Sequence, residues 1–146
     1  MRIETKAYGP LDIDERQVIT FPLGLIGFEQ FKTFALLDAT QKPFYWLQSL
    51  DIPDIAFVLI NPLLFRPDYT PDVPEEDLEE LQLEKPEDLL LFAIVTIPEN
   101  QTRMTANLQG PILINRKKKM GRQSISLNPN WRVKHVILEE LAALKE

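Results

Sequence analysis

"LLLFAIVTIP", Leu89–Pro98, is the longest apolar run of the chain, and its reading decides the fold. It is far short of the ~18 or more apolar residues that a membrane-spanning helix needs, and Pro98 stops it. A short unbroken apolar run closed by a turn residue suits one buried strand. Similar runs lie on both sides: "RQVITF" (Arg16 to Phe21), "FALLD" (Phe34 to Asp38), "FYWLQSL" (Phe44 to Leu50) and "IAFVLIN" (Ile55 to Asn61) before it, "TANLQG", "PILIN", "QSISLN" and "WRVKHVIL" after it. Pro, Gly, Asp or Asn punctuates them. That pattern predicts an all-β, mainly antiparallel, single-domain β-barrel-like fold over residues 1–146. In "AFVLIN", Phe57 and Leu59 alternate with Ala56 and Val58, so one pair faces inward, and Phe57 is expected in the core.

One segment breaks the pattern. "DVPEEDLEELQLEKPEDL", Asp72 to Leu89, holds nine acids and one lysine. It reads as a short acidic helical insertion at about 72–88. Asp72 is placed to cap it, Pro74 to start it, and Leu78 and Leu81 to lay it on the barrel. The acids Glu75, Glu76, Asp77, Glu79 and Glu80 read as a solvated face. The tail at about 139–146 reads as helical or frayed.

Length and composition set the class. A chain of 146 residues buries roughly 70% of its unfolded surface as one domain. There is no cysteine, which excludes disulfides, thiolate metal sites and a cysteine nucleophile. No signal-peptide-like stretch follows Met1, and the protein reads as soluble and cytoplasmic. Residues 1–102 carry 7 Lys and Arg against 19 Asp and Glu, a net of −12; residues 103–146 carry 9 against 3, a net of +6.

The chemistry of catalysis is missing from the pattern. The one histidine, His135, reads as a half-buried strand residue, with no nucleophile or orienting acid marked for it. "PLGLIGF", Pro22 to Phe28, contains G-x-x-G but no phosphate-binding motif, and reads as a turn after a strand. Neighbouring acids on an exposed helix titrate alike and do not make an acid/base pair. No cofactor or metal is implied. "NRKKKMGRQ", Asn115 to Gln123, reads as a hairpin loop with its cations in solvent. It lacks the stacking aromatics of single-strand RNA readers. A nucleic-acid binder using the basic loop 116–122, or a small-ligand-binding barrel, are the alternative classes.

"ITFPLGLIGFEQFKTFALLD", "NPLLFRPDY", "FAIVTIP" and "TANLQGPILINRKKKMGRQ", in this order and spacing, resemble the FliW family of flagellar assembly factors. The similarity runs from "IETKAYGPLDI" to "VKHVIL". The resemblance implies a β-barrel-like, non-enzymatic, chaperone-like regulator in the cytoplasm of flagellated bacteria. Such proteins bind flagellin and, when free of it, bind and antagonise CsrA, the small basic repressor of flagellin translation. It implies no direct nucleic-acid or membrane partner and assigns no contact residue. The charge pattern adds candidates: Asp51, Asp54, Glu75, Glu76, Glu79 and Glu80 for a basic partner. In "NPLLFRPDY", Phe65 and Tyr69 are either packed under the helix or exposed for flagellin.

Overall fold

The computed structural model, which describes residues 1–145, begins with a hairpin of β1 (Arg2–Thr5) and β2 (Gly9–Asp12). Then come β3 (Val18–Thr20), β4 (Thr33–Asp38), β5 (Tyr45–Ser49), β6 (Ala56–Ile60), helix α1 (Glu75–Glu80) and β7 (Leu89–Thr96). The chain ends with β8 (Thr105–Ala106), β9 (Ile112–Asn115), β10 (Met120–Gln123), β11 (His135–Val136) and helix α2 (Ile137–Ala143).

The opening run of the sequence is β7, and the barrel is organised around it. One edge of β7 pairs with β6, Val58 opposite Val95 and Ile60 opposite Ala93. The other edge is shared: Leu89 to Phe92 pair with β9, and Val95 and Thr96 pair with β8. From β7 the sheet runs through β6, β5, β4, β3, β10 and β9 back to β7, which closes seven strands. All pairings are antiparallel except β10 on β3, which is parallel. That seam is narrow. It rests on Met120 opposite Thr20, a Thr20 N–H donated to the Lys119 carbonyl at 2.9 Å, and Gly121 against the Phe21 ring. A Cβ at Gly121 would lie 2.6 Å from that ring.

The apolar runs do not alternate because the sheet is covered on both faces. Phe34, Leu47, Leu59, Phe92, Ile112 and Ile114 fill the barrel. On the outside, Ile60, Ala93 and Val95 pack under Phe65, Tyr69, Trp131 and Ile137. The β1–β2 hairpin lays Ile3 over Ala35 and Leu37.

Several expectations are corrected here. The insertion is helical only over Glu75–Glu80, with a 3-10 turn at Pro86–Asp88. Leu81 is buried beneath it as expected, and Leu78 is half-buried. Asp72 does not cap the helix. Its φ is +50°, and its carboxylate accepts from Thr70 Oγ1 (2.9 Å) and Asn128 Nδ2 (3.0 Å). The loop expected at 116–122 is a four-residue turn, Arg116–Lys119, because Met120–Gln123 continues as β10. Phe57 is half-buried, edge-on to Phe28 at 5.2 Å, and the fully buried residue of its strand is Leu59. The tail is helical as α2 through Ala143; residue 146 lies outside the described residues.

Leu59→Ala is expected to lower stability by about 2–5 kcal/mol and Phe65→Ala by about 3–5 kcal/mol, with Phe57→Ala below both. Urea melts of the three variants check the order; the largest loss at Phe57 would mean that the inner face is misassigned.

Candidate partner-binding site

The acids picked from the sequence do not all behave alike. Glu75, Glu76, Glu79 and Glu80 project from α1 and are exposed. Glu75, Glu76 and Glu79 make no ion pair among the described residues, whereas Glu80 is held by Arg122. Asp77, read as one more solvated acid, is buried and pairs with Arg122 Nη2 at 3.1 Å. Helical geometry separates them: Asp77 shares the barrel-facing side of the helix with Leu81, four residues on. Asp51 and Asp54 are exposed on the separate turn between β5 and β6, where Asp51 Oδ2 accepts from the Lys32 N–H at 3.3 Å. No hydrogen bond or ion pair joins them to α1 among the described residues.

The basic run turns out to be the counterpart of the acidic insertion. Arg122 on β10 grips Asp77 and Glu80. Lys118 Nζ donates to Gln82 Oε1 at 3.0 Å. Arg116 and Lys117 each stand 4.0 Å from the carboxylate of Asp88. Asp88 is buried, and its Oδ2 has no hydrogen-bond partner, so the two cations supply its charge balance. Buried Asn115 fixes the junction: Nδ2 donates to the Leu81 carbonyl at 2.8 Å, and Oδ1 accepts the Lys117 N–H at 3.0 Å. Arg116, Lys117 and Lys118 are still exposed, but Arg116 and Lys117 stand by this chain's own Asp88 and Lys118 is held by Gln82.

Phe65 and Tyr69 do not form a surface patch. Phe65 is fully buried, and Tyr69 donates its hydroxyl to the Leu108 carbonyl at 2.7 Å while stacking edge-on to Trp131 at 4.8 Å. Burial pushes the Tyr69 phenol well above the ordinary tyrosine value. The exposed apolar residues of that connection are Leu63 and Leu64.

His135 is buried rather than half-buried, and it has an orienting acid that the strand reading missed. The Arg132 N–H donates to Nε2 at 2.9 Å, so the ring proton sits on Nδ1, 3.0 Å from Glu140 Oε1. Glu140 also meets Arg66 at 3.4 Å, and the Arg66 guanidinium lies 4.7 Å over the Trp131 ring. This network ties α2 to the barrel, and no nucleophile belongs to it. Among the described residues no three His, Asp or Glu side chains gather as a metal cage, and no helix is long and apolar enough to cross a membrane.

Hydrogen bonds, from Asn128 first and Thr70 next, hold the Asp72 carboxyl below the usual carboxylate range. A carboxyl depressed in the folded state stabilises the fold above its unfolded value of about 4 and loses that contribution as the pH falls. Asp72→Asn is therefore expected to flatten the acid side of the stability curve below about pH 4. Thermal melts across that range measure it, and an unchanged acid limb would remove Asp72 from the linkage. For the basic turn, single-stranded RNA is not expected to bind at physiological salt. Binding with a steep salt slope, lost when Arg116–Lys119 become Ser, would restore the nucleic-acid reading.

Comparison with known proteins places this arrangement. The profile of the family described as FliW protein matches residues 2–137. The chain is 48% identical over 143 residues to the flagellar assembly factor FliW of Treponema denticola, covering 98% of this chain and 97% of that one. It is 43% identical over 143 residues to the protein of the same name in Thermoanaerobacter pseudethanolicus, covering 97% and 95%. A crystal structure of the flagellar assembly factor FliW superposes with a TM-score of 0.87 at 39% identity, covering 94% of this chain and 96% of that one. With a closed β-barrel, an acidic insertion and a match along almost its whole length, the chain belongs to the FliW family of flagellar assembly factors.

Proposed function

We propose that the protein is a non-enzymatic regulator of flagellin supply in the cytoplasm. It binds newly made flagellin and, when free of it, binds CsrA and relieves repression of flagellin translation. The observation that carries this reading is the outer side of α1. Glu75, Glu76 and Glu79 stand exposed and unpaired among the described residues, on a helix whose other side is pinned by Leu81 and by Arg122. A small basic protein finds there a fixed cluster of negative charge, backed by the net of −12 over residues 1–102. Such complementarity acts on association rate and partner choice more than on affinity. Asp51 and Asp54, on their own turn, extend the field rather than the cluster. For flagellin, Leu63 and Leu64 replace Phe65 and Tyr69 as the accessible apolar residues of their connection.

The internal pairing of Arg122, Lys118, Arg116 and Lys117 with the insertion supports a protein partner over a nucleic acid, since these cations already serve the fold.

Changing Glu75, Glu76 and Glu79 to Lys is expected to slow CsrA association at least about tenfold at low salt. The melting temperature should stay close to that of the unchanged protein, because none of the three is buried. Surface plasmon resonance at rising salt reads the rate; an unchanged on-rate at low salt would take α1 out of the interface.

A further inference from the structure

Beside α1 lies a groove of about 440 Å³ whose two long walls are fixed backbone. The first wall is the turn after β3. Gly24 sits at φ +67°, where a Cβ would come 2.6 Å from the Glu29 backbone. Its N–H donates to the Phe21 carbonyl at 2.8 Å, Phe28 closes onto Leu25 at 2.8 Å, and the Ile26 N–H reaches Gln123 Oε1 at 3.0 Å. This folding buries Leu25 and forces Leu23 and Ile26 outward, 56% and 53% exposed. The second wall is the extended stretch after β10. Ser124 and Ser126 are buried and donate their N–H groups to the carbonyls of Pro111 (3.0 Å) and Gln109 (2.7 Å). Ile125 and Leu127 are left outward, 50% and 71% exposed. Backbone groups of an extended chain alternate in direction, so the N–H and C=O of Ile125 face away from Gln109–Pro111, as at a sheet edge, while the next outward donor, the Leu127 N–H, is taken by the Asp72 carbonyl at 2.7 Å and closes that end.

Scattered exposed apolar residues are ordinary, but four on opposed rigid walls beside a strand edge form a receptor shape. Pro74 and Asp77 close the far side, so the groove runs along the root of α1. The charged groups of its lining are Glu29 and the Asp77–Arg122 pair, and Glu75, Glu76 and Glu79, with no cation paired to them among the described residues, add negative charge from the same helix, so the surroundings favour a basic occupant. An extended segment suits this space better than a helix, whose width is about 10–12 Å with side chains. Strand addition would also use the outward backbone groups of Ile125.

We infer that this groove takes an extended, alternately apolar and basic segment of a protein partner, whose backbone pairs with Ile125 between the Leu23–Ile26 turn and Asp72. The inference rests on the reading of α1 as a docking face for a basic partner, and it supplies the mode of attachment. Apolar side chains of the segment would lie between Leu23 and Leu127 and between Ile26 and Ile125, with its cations toward the glutamates. The walls need no rearrangement to receive it, so little ordering cost falls on this side of the interface.

The probe is a capped synthetic peptide, Lys-Val-Lys-Ile-Lys-Val-Lys, titrated into the full chain by NMR and calorimetry. Two control peptides accompany it, one with Glu in place of Lys and one N-methylated at alternate residues. The expected result is saturable binding with slowed hydrogen exchange at the Ile125 amide. N-methylation should weaken it about tenfold or more, and so should Ile125→Ser combined with Leu127→Ser, at an unchanged melting temperature. Equal binding of the N-methylated peptide, equal binding by the double Ser variant, or no binding at millimolar peptide overturns the inference. The variant with Lys at Glu75, Glu76 and Glu79 separates the two readings. If only that variant loses the peptide, the charged face stands and the groove falls. If only the double Ser variant loses it, the groove stands and the charged face falls.

Discussion

Everything in this fold answers to one demand: Leu89–Thr96 must be covered on two faces and paired along two edges. Its side chains point alternately into the barrel, with Phe92 among them, and out of it, with Ala93 and Val95 among them, and both sets are apolar. The inner set is satisfied when β9 and β6 flank the strand and the sheet curls shut. The outer set needs a second layer, and the chain supplies it from two distant places. The connection after β6 contributes Phe65 and Tyr69, and the C-terminal stretch contributes Trp131 and Ile137. The network of His135, Glu140 and Arg66 locks those two contributions to each other over Trp131. A buried hydrogen-bonded network of this kind specifies geometry as much as it adds stability.

Charge is used in the same way. The acidic insertion and the basic turn are far apart in sequence and opposite in sign, and the barrel brings them together at the β9–β10 hairpin. Most of that attraction is consumed internally, in holding α1 to the wall by Arg122 and in balancing buried Asp88. What remains outside is a short row of glutamates on a helix that would be marginal by itself. Only because its inner face is anchored does the outer face have a fixed shape.

The strands were legible in the sequence because apolar runs bounded by Pro, Gly, Asp and Asn carry their own punctuation. The double burial of Leu89–Val95 could be read from its lack of alternation. The family resemblance and the row of exposed glutamates were legible as well. Other features depend on contacts between remote segments. Phe65 looks the same in a string whether it enters the core or leaves it, because its fate depends on Trp131 and Ile137. Asp77 resembles its neighbours until Arg122 arrives from β10. Asp72 had the right spacing for a cap, but Asn128 and Thr70 hold its carboxylate and the backbone there is left-handed. Glu140 stands five residues from His135, and a strand-to-helix change at Ile137 was needed to fold it back.

The parallel seam between β3 and β10 also governs the order in which the molecule is made. β3 is finished at Thr20, and the strand that seals it begins at Met120. In a chain leaving the ribosome, the partners of the free borders of β3 and β7 therefore emerge only in the last third of synthesis. Contacts between such remote segments form late, after the entropy of closing a loop of that length has been met. During this interval the acidic stretch between β6 and β7 is already out, and its like charges repel neighbouring nascent chains from those borders. The same glutamates that face outward in the finished barrel would then stand as a like-charged guard beside the open borders of the unfinished one.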